Sequence, residues 1–535
     1  MLTASCRRFF RRPFGVLTAE CCFPLKMICE VRSGPGGPSR QGVEVLLRVA
    51  IAYPPIPSEK GVPLLSQNRQ FQWFTRPTYI YPVVPAVAAT QAKLAGHEVA
   101  WLDGIASEWS LAAFEEKLAA FRPDVVMLET KTPVVSMHWA YIRALKARLP
   151  EARVVLVGDH VTALPAESFG QCPVDFVLTG GDYDFLLMNL LACLRDAAGQ
   201  PLDTARLEPG IYWREGDAVK NSGPFRLDHD LKQQPWIDRD LTQWRLYSEK
   251  NGNYRRTPGT YIMSGRDCWH GKCTFCSWTT LYPTYRAREP KEVVDEIGEL
   301  IARYGVREIM DDTGCMPAGA WLKTFCEEMI ARGYNKRVTI DCNMRFGCLD
   351  AAAFRLMKKA GFRLVLFGME SANQATLDRL VKAVRVEEIL EGAKAASQAG
   401  LDVHVTVMFG YPWEGEREIA NTVCLARKLL RKGYAYTLQV TMVVPYPGTP
   451  LFSELDRAGL LLTRNWDDYD MRQQVMKSGV SEEVIKGAVR QVYRAFLHPE
   501  TILRRLAATR DPVADLKFYW RGFLSLAGHL RDFRK

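Results

Sequence analysis

Three cysteines in one short segment are the residues of this chain best suited to chemistry. Cys268, Cys273 and Cys276 fall within nine positions of one another. Thiolates this close in sequence converge on a metal, and an ordinary iron–sulfur cluster takes four of them. Three thiolates leave one iron without a protein ligand, which is the open position that a metal needs to bind a substrate or a cofactor. The segment therefore indicates a cluster with one reactive iron.

The same segment also fits a second kind of metal site. His270 together with the three cysteines would make a Cys₃His zinc set, which is closed and structural. A further question concerns the four residues between Cys268 and Cys273. They either bulge or bring His270 or Lys272 towards the metal. We expect the bulge, because loops absorb one residue easily.

Strands and helices alternate after the cysteine segment and would position further groups around it. Six strand–helix steps follow from Thr260, which predicts a partial (β/α)₆ barrel with functional groups at the carboxyl ends of its strands. Asp311 and Asp312 at one such end would face a substrate or cap the next helix, and Glu414 is predicted at a helix start. The residues at or near these strand ends are Asp311, Asp312, Asn343, Arg345, Gly368, Glu370, Ser371, Gly410, Pro412 and Glu414.

The part of the chain before the cysteines has its own strand–helix alternation. Five apolar runs between Val45 and Leu178 alternate with helical stretches, which predicts a parallel sheet covered on both faces. Such sheets bind ligands beyond the carboxyl ends of their strands. The sequence contains neither a G-x-G-x-x-G motif nor a Walker loop, so NAD and ATP are not indicated.

Both halves resemble known families. The cysteine segment with Phe275, the Gly-x-Glu-Ser run ending at Ser371, the Gly-x-Pro-x-Glu run from Gly410 and the run 445–450 together resemble the radical SAM superfamily. Segments 154–165 and 174–181 resemble the cobalamin-binding domain found upstream of many radical SAM domains. One departure is the gap of four residues between the first two cysteines, where the family usually has three.

The resemblance implies an α/β protein in which a Rossmann-like cobalamin-binding domain precedes the partial barrel and a helical C-terminal region. It implies three cofactors, namely a [4Fe–4S] cluster held by the three cysteines, S-adenosylmethionine (SAM) and cobalamin. The residues implied for SAM are Phe275, Asp312, Asn343, Arg345, Gly368, Glu370, Ser371, Gly410 and Pro412. The residues implied near cobalamin are Gly158, His160, Thr162, Gly180 and Gly181, since glycine permits close approach of the backbone to a flat ligand.

The function implied is that of a cobalamin-dependent radical SAM enzyme that methylates an unactivated carbon. A cyclase or rearrangement enzyme with the same cofactors is the nearest alternative, and a zinc-stabilised binding protein is an alternative of another class. The implied partners are a small-molecule, lipid or peptide substrate and an electron donor such as flavodoxin or ferredoxin, without nucleic acid.

The composition bounds the remaining expectations. The chain has 535 residues, 47% of them hydrophobic, a net charge of +10 and 14 cysteines without framework-like spacing, which favours a cytoplasmic protein. The basic, amphipathic stretch 516–533 either contacts a membrane surface or covers the protein core. The expected domains are a disordered or wrongly assigned extension (1–44), the cobalamin domain (45–198), a linker with a hairpin (199–257), the barrel (258–461) and the helical region (462–535).

Overall fold

The first sheet contains five parallel strands that lie next to one another. The computed structural model of the protein describes residues 46–64 and 73–501. In space the strands follow the order second, first, third, fourth, fifth along the chain. In chain order they are Arg48–Tyr53, Glu98–Asp103, Val125–Glu129, Arg153–Val157 and Phe176–Leu178. Their helices are Val83–Leu94, Leu111–Phe121, Val135–Arg148 and Tyr183–Ala197. The third strand is buried along its whole length, as expected of a sheet covered on both faces, and the predicted parallel sheet is confirmed.

A hairpin extends this sheet at one edge. Ile211–Glu215 pairs antiparallel with Phe176–Leu178 and with Ala218–Asn221. The sequence predicts a hairpin here, as part of the linker. The structure shows that it is part of the first sheet, which therefore has seven strands.

The second sheet has six parallel strands that lie side by side in chain order. They are Gly259–Ile262, Glu308–Asp311, Thr339–Met344, Phe362–Glu370, Asp402–Phe409 and Thr437–Met442. The helices between them are Pro290–Tyr304, Ala320–Ala331, Ala351–Lys359, Val386–Gln398 and Glu416–Arg431, with the shorter Gln374–Arg379 after the fourth strand. Among the described residues the sixth strand does not pair with the first, so the barrel is open as predicted.

The cysteine segment lies between the first barrel strand and the first barrel helix. It begins with Gly265–Arg266, which pairs antiparallel with Arg286–Ala287, and it contains the short helix Trp278–Leu281. Both ends of the cysteine loop are therefore fixed by backbone pairing or by a helical turn.

The helix Glu482–Arg494 packs against Glu416–Arg431 behind the barrel. The backbone N–H of Val440 in the last strand donates to the Tyr493 hydroxyl, at 3.2 Å. Within residues 46–64 and 73–501, no helix is both long enough and apolar enough to cross a bilayer. The extension predicted at 1–44 and the amphipathic helix predicted at 516–533 lie outside the described residues.

Candidate active site

Asp311 supports the start of the cysteine loop. Its carboxylate accepts hydrogen bonds from the backbone N–H groups of Ser264 and Thr313, at 3.2 and 3.0 Å, and from the Ser264 hydroxyl. The Asp311 carboxylate is therefore bonded to groups of the protein itself. The alternative that Asp311 or Asp312 caps the next helix is wrong, because that helix begins at Ala320 and has Gly319 as its N-cap residue.

The three cysteines are partly exposed, whereas a fourth cysteine is buried beneath them. Cys315 forms a backbone bridge with Cys268, and its thiol hydrogen bond lowers the pKa of Cys268 to about 5. Burial raises the pKa of Cys276 to about 12. The sequence indicates only a buried, inert thiol at Cys315. The spacing of the cysteines in the sequence does not indicate the contact between Cys315 and Cys268.

The residues between the first two cysteines contact the surrounding protein. Trp269 Nε1 donates to the carbonyl of Met316 at 3.3 Å, and His270 Nε2 lies 2.7 Å from the carbonyl of Val381. Gly271 has a φ of +58°, a conformation in which glycine carries little strain. These contacts hold Trp269 and His270 against the surrounding protein, and the bulge stays a prediction. In the described part of the chain, no three His, Cys, Asp or Glu side chains are arranged around a single ion.

A buried ion pair stands beside the cysteine loop. Lys382 Nζ lies 2.6 Å from Glu370 Oε1. A Cβ at Gly368 would overlap the Glu370 carboxylate, so a larger residue there would displace that carboxylate. Burial opposes the charge on Lys382, but Glu370 and Cys273 together raise its pKa above the ordinary value. Lys382 is absent from the predicted site because it belongs to no strand end.

Arg345 holds the segment that carries this lysine. Its guanidinium donates to the carbonyls of Lys382 and Ala383 and lies 5.0 Å from the centre of the Trp269 ring. Arg345 therefore joins the third strand end to both the cysteine loop and the Lys382 segment. Its pairing with the SAM carboxylate stays a prediction.

Asn343 and Ser371, two of the residues implied for SAM, are bonded to protein groups. Asn343 Nδ2 donates to the carbonyls of Asp311 and Thr313, at 3.2 and 3.1 Å. The Ser371 hydroxyl donates to Glu414 at 2.6 Å. Glu414 is 1% exposed and burial raises its pKa. The expectation that it starts a helix is wrong, since the helix begins at Glu416.

The remaining SAM candidates lie around the same edge. Phe275 packs in an apolar cluster with Tyr411, and its ring centre is 5.7 Å from Lys382 Nζ. Gly410 has a φ of +104° and begins the turn that contains Pro412. Asp312, next to the end of the second barrel strand, acts electrostatically on Lys131 of the first domain.

The glycines predicted near cobalamin are in close contact with protein groups. A Cβ at Gly158 would overlap the carbonyl of Thr130, one at Gly180 would overlap the Phe225 ring, and one at Gly181 would overlap the Tyr282 ring. The Tyr282 hydroxyl donates to the carbonyl of Gly181 at 3.0 Å. These glycines therefore permit the close approach of other segments of the protein.

His160 and Thr162 are also engaged by neighbours. The His160 ring is fully buried, with Nδ1 3.2 Å from Thr132 Oγ1 and Nε2 3.0 Å from Glu167 Oε2. Thr162 donates to the carbonyl of Gly158 at 2.7 Å and accepts from the N–H of Gly180 at 3.0 Å. These bonds tie together the ends of the fourth and fifth strands.

Charged groups join the first domain to the cysteine loop; we call them the interdomain clasp, consisting of Asp182, Asp184, His229, Arg266 and Arg286. Arg266 donates to both oxygens of Asp184, at 2.7 and 2.9 Å, and to Asp182 at 3.1 Å. Arg286 donates to both oxygens of Asp182, at 2.7 Å each, and His229 Nδ1 donates to Asp182 at 2.9 Å. Burial opposes the charge on His229, but the hydrogen bonds that its ring donates to Asp182 and Glu208 raise its pKa to about 9.

Comparison with known proteins identifies both halves. Residues 262–426 match the radical SAM superfamily and residues 75–184 match the B12 binding domain. An uncharacterized methyltransferase of Pyrococcus horikoshii is 26% identical over 415 residues, which are 76% of this chain and 86% of that protein. The anaerobic magnesium-protoporphyrin IX monomethyl ester cyclase of Cereibacter sphaeroides is 27% identical over 364 residues, 66% of this chain and 57% of that protein.

A solved structure shares the fold. TsrM of Kitasatospora setae, a radical S-adenosylmethionine methyltransferase determined with cobalamin and a [4Fe-4S] cluster bound, superposes with a TM-score of 0.62 at 17% identity. The superposition covers 84% of this chain and 89% of TsrM. It therefore includes both sheets.

The chain is a radical SAM superfamily protein with a B12-binding domain. Its relatives in sequence include the uncharacterized methyltransferase and the cyclase above, and it shares the fold of TsrM. The predicted family, fold class and cofactors are thereby confirmed, and the chain is an enzyme of the radical SAM type. The zinc-stabilised binding protein is wrong, because the cysteine loop belongs to a radical SAM domain and His270 bonds to a carbonyl.

Proposed function

We propose that this chain methylates an unactivated carbon of a small-molecule, lipid or peptide substrate, using SAM, a [4Fe–4S] cluster and cobalamin. One observation carries the proposal: the carboxyl edges of the two sheets meet. Arg266 at the start of the cysteine loop donates to Asp182 and Asp184, which follow the fifth strand of the first sheet. Ligands of both sheet types bind at these edges, so groups bound at the two edges would share one substrate.

The cysteine loop fits a cluster with an open iron. Its three thiols come from one loop that is anchored at Ser264, Trp269 and His270. Bound there, the cluster and SAM supply a 5′-deoxyadenosyl radical, and cobalamin supplies a methyl group. The ammonium of Lys382 offsets the negative charge of the thiolates, since Cys273 and Cys276 both act on it.

Glu370 and Lys382 would orient SAM beside the cluster. Glu370 offers a carboxylate acceptor for the amine or hydroxyl groups of SAM, and its bond to Lys382 fixes its direction. The pair is nearly inaccessible to solvent, and electrostatic interactions gain strength where water is excluded. The pair therefore provides an oriented binding group that requires little rearrangement.

Cyclisation without methyl transfer is the second candidate. It is favoured by the similarity to the magnesium-protoporphyrin IX monomethyl ester cyclase, which covers 66% of this chain. Both candidates need the same cofactors, so they differ in the product alone. Methylation adds one methylene unit to the mass of the substrate, whereas cyclisation does not.

Anaerobic purification and reconstitution test the proposal. The protein should be brown, contain iron and sulfide, bind cobalamin and cleave SAM to 5′-deoxyadenosine. Product mass analysis on candidate extracts should then show a gain of one methylene unit. A colourless protein without iron would refute the radical chemistry, and turnover without that mass gain would favour cyclisation.

A further inference from the structure

The first sheet has a topological switch point between two of its strands. The strands Arg48–Tyr53 and Val125–Glu129 are neighbours, and the connections that leave them go in opposite directions along the sheet. In open α/β sheets, ligands bind in the crevice at such a point, beyond the carboxyl ends of the strands. Tyr53 and Glu129 end the two strands, and the Tyr53 hydroxyl donates to the Glu129 carboxylate.

Lys131, two residues beyond this strand end, has a buried amine that makes no hydrogen bond to any residue that the structure describes. The residue is 3% exposed, and its Nζ has no hydrogen-bond partner among the described residues. A buried charged group is costly unless it is paired and hydrogen-bonded, and buried polar groups are nearly always satisfied. An acceptor that is not part of the described chain is therefore expected at Nζ.

Three carboxylates surround this ammonium without bonding to it. Glu129 ends the same strand, Asp159 follows the end of the neighbouring strand, and Asp312 comes from the barrel; all three act electrostatically on Lys131. Asp159 accepts from the backbone N–H of His160 at 2.7 Å, and burial raises the pKa of Glu129 to about 7. Polar groups that converge from three strand ends around one buried amine are typical of a ligand site.

The donor and acceptor types define the chemistry of the ligand. An ammonium only donates hydrogen bonds and an ionised carboxylate only accepts them. A primary amide offers both matching groups, a carbonyl oxygen and an N–H₂, and the corrin ring of cobalamin carries such amides around its rim. Lys131, Glu129 and Asp159 all lie within the residues that match the B12 binding domain, 75–184, which favours cobalamin over the substrate as their ligand.

We infer that Lys131 donates a hydrogen bond to an amide carbonyl on the rim of bound cobalamin, while Asp159 and Glu129 accept from amide N–H groups beside it. This assignment rests on the proposed function in that cobalamin is the ligand. It gives cobalamin contacts to three residues at the switch point, in addition to the glycines expected from the sequence.

Binding of cobalamin to the full-length protein tests the role of Lys131. Lys131→Met is compared with the wild type and with Lys117→Met, which removes an exposed lysine of the same domain. Hydroxocobalamin affinity is measured by equilibrium ultrafiltration and absorbance under anaerobic conditions. Loss of one charge-assisted hydrogen bond should weaken binding about tenfold or more in Lys131→Met, with no change in Lys117→Met.

Two further measurements distinguish a contact with a corrin amide from a loss of folding and from a contact with the nucleotide phosphate. Removing the lysine leaves Glu129, Asp159 and Asp312 without its charge, which lowers stability. Urea unfolding of each protein without cobalamin is therefore measured first, and affinities are compared under conditions in which every variant is folded. Dicyanocobinamide keeps the corrin amides but lacks the nucleotide phosphate, so its affinity should fall by the same factor.

Each contrary result has a separate meaning. A loss of affinity confined to hydroxocobalamin would place the acceptor in the nucleotide and overturn the amide assignment. Equal affinity of Lys131→Met and the wild type would overturn the role of Lys131, whereas a wild type that binds no cobalamin would refute the proposed function itself.

Discussion

Replacing Arg266 by methionine tests how firmly the first domain holds the cysteine loop. Arg266 is 3% exposed and forms the centre of the interdomain clasp, with two bonds to Asp184 and one to Asp182. It precedes Cys268 by two positions, so a movement of Arg266 would be transmitted directly to a cluster cysteine. Both stability and cluster content are therefore expected to fall in Arg266→Met.

The expected loss of stability in Arg266→Met depends on the bonds that Asp182 and Asp184 keep. Removing one partner of a buried ion pair costs about 3 to 5 kcal/mol, because a buried charge stays uncompensated. Asp182 keeps its bonds to Arg286 and His229, and Asp184 keeps a bond of 2.7 Å from Gln234. These remaining bonds place the expected loss near the lower limit, about 3 kcal/mol.

Urea unfolding of the full-length protein and iron content per chain measure the effect. Arg206→Met is the matched control, since Arg206 pairs with Asp196 at the surface and such pairs contribute about 1 kcal/mol or less. In a double-mutant cycle, Arg266→Met and Asp184→Asn should be coupled by more than about 0.5 kcal/mol. Additive effects, or an Arg266→Met protein as stable as the control, would refute the clasp as a buried unit.

Three other perturbations have defined outcomes. Cys273→Ala should abolish both the iron cluster and SAM cleavage, and retention of either would contradict the ligand assignment. Lys382→Met should lower the midpoint potential of the cluster in an EPR-monitored redox titration, because a nearby positive charge favours the reduced state. Lys382→Arg keeps the charge and should not lower the potential. Equal potentials in the two variants would exclude this role. The pKa of His229 is raised from 6.5 to about 9, so its contribution to stability is complete below about pH 6.5 and is lost as the pH rises through about 9. Urea midpoints between about pH 6 and 10 should therefore converge with those of His229→Gln at the alkaline end, and parallel curves would contradict this linkage.

The strands were predictable because each is a run of apolar residues with clear punctuation. The first barrel strand is expected from Thr260 and is found at Gly259–Ile262. The pairing of the 211–221 hairpin with the first sheet was not predictable, because its partner strand is Phe176–Leu178. A strand's own sequence specifies its alternation of exposed and buried faces but not which edge it joins.

The site was predictable where a local motif identifies it and not where distant residues meet. The cysteines and Glu370 lie in motifs, whereas Arg266 meets Asp182 across 84 positions. Lys382 falls in an irregular segment without a pattern. Gly181 was expected to approach a flat ligand because glycine permits close contact, but its close neighbour is the Tyr282 ring. Glycine indicates that something lies close to the backbone and does not identify what it is.

Residues 380–383 accept hydrogen bonds from the cysteine loop through their backbone carbonyls. The length of the loop and the conformation of these residues therefore depend on each other. The carbonyl of Leu380 accepts from the N–H of Thr274, and that of Val381 accepts from His270. Val381 and Ala383 both have a φ of +52°, which costs non-glycine residues roughly 1 to 2 kcal/mol each. Through natural variation, the number of residues between the first two cysteines and the conformation of this segment should change together. A loop transplanted from a relative with a different spacing would leave these carbonyls without donors unless the facing segment were transplanted with it.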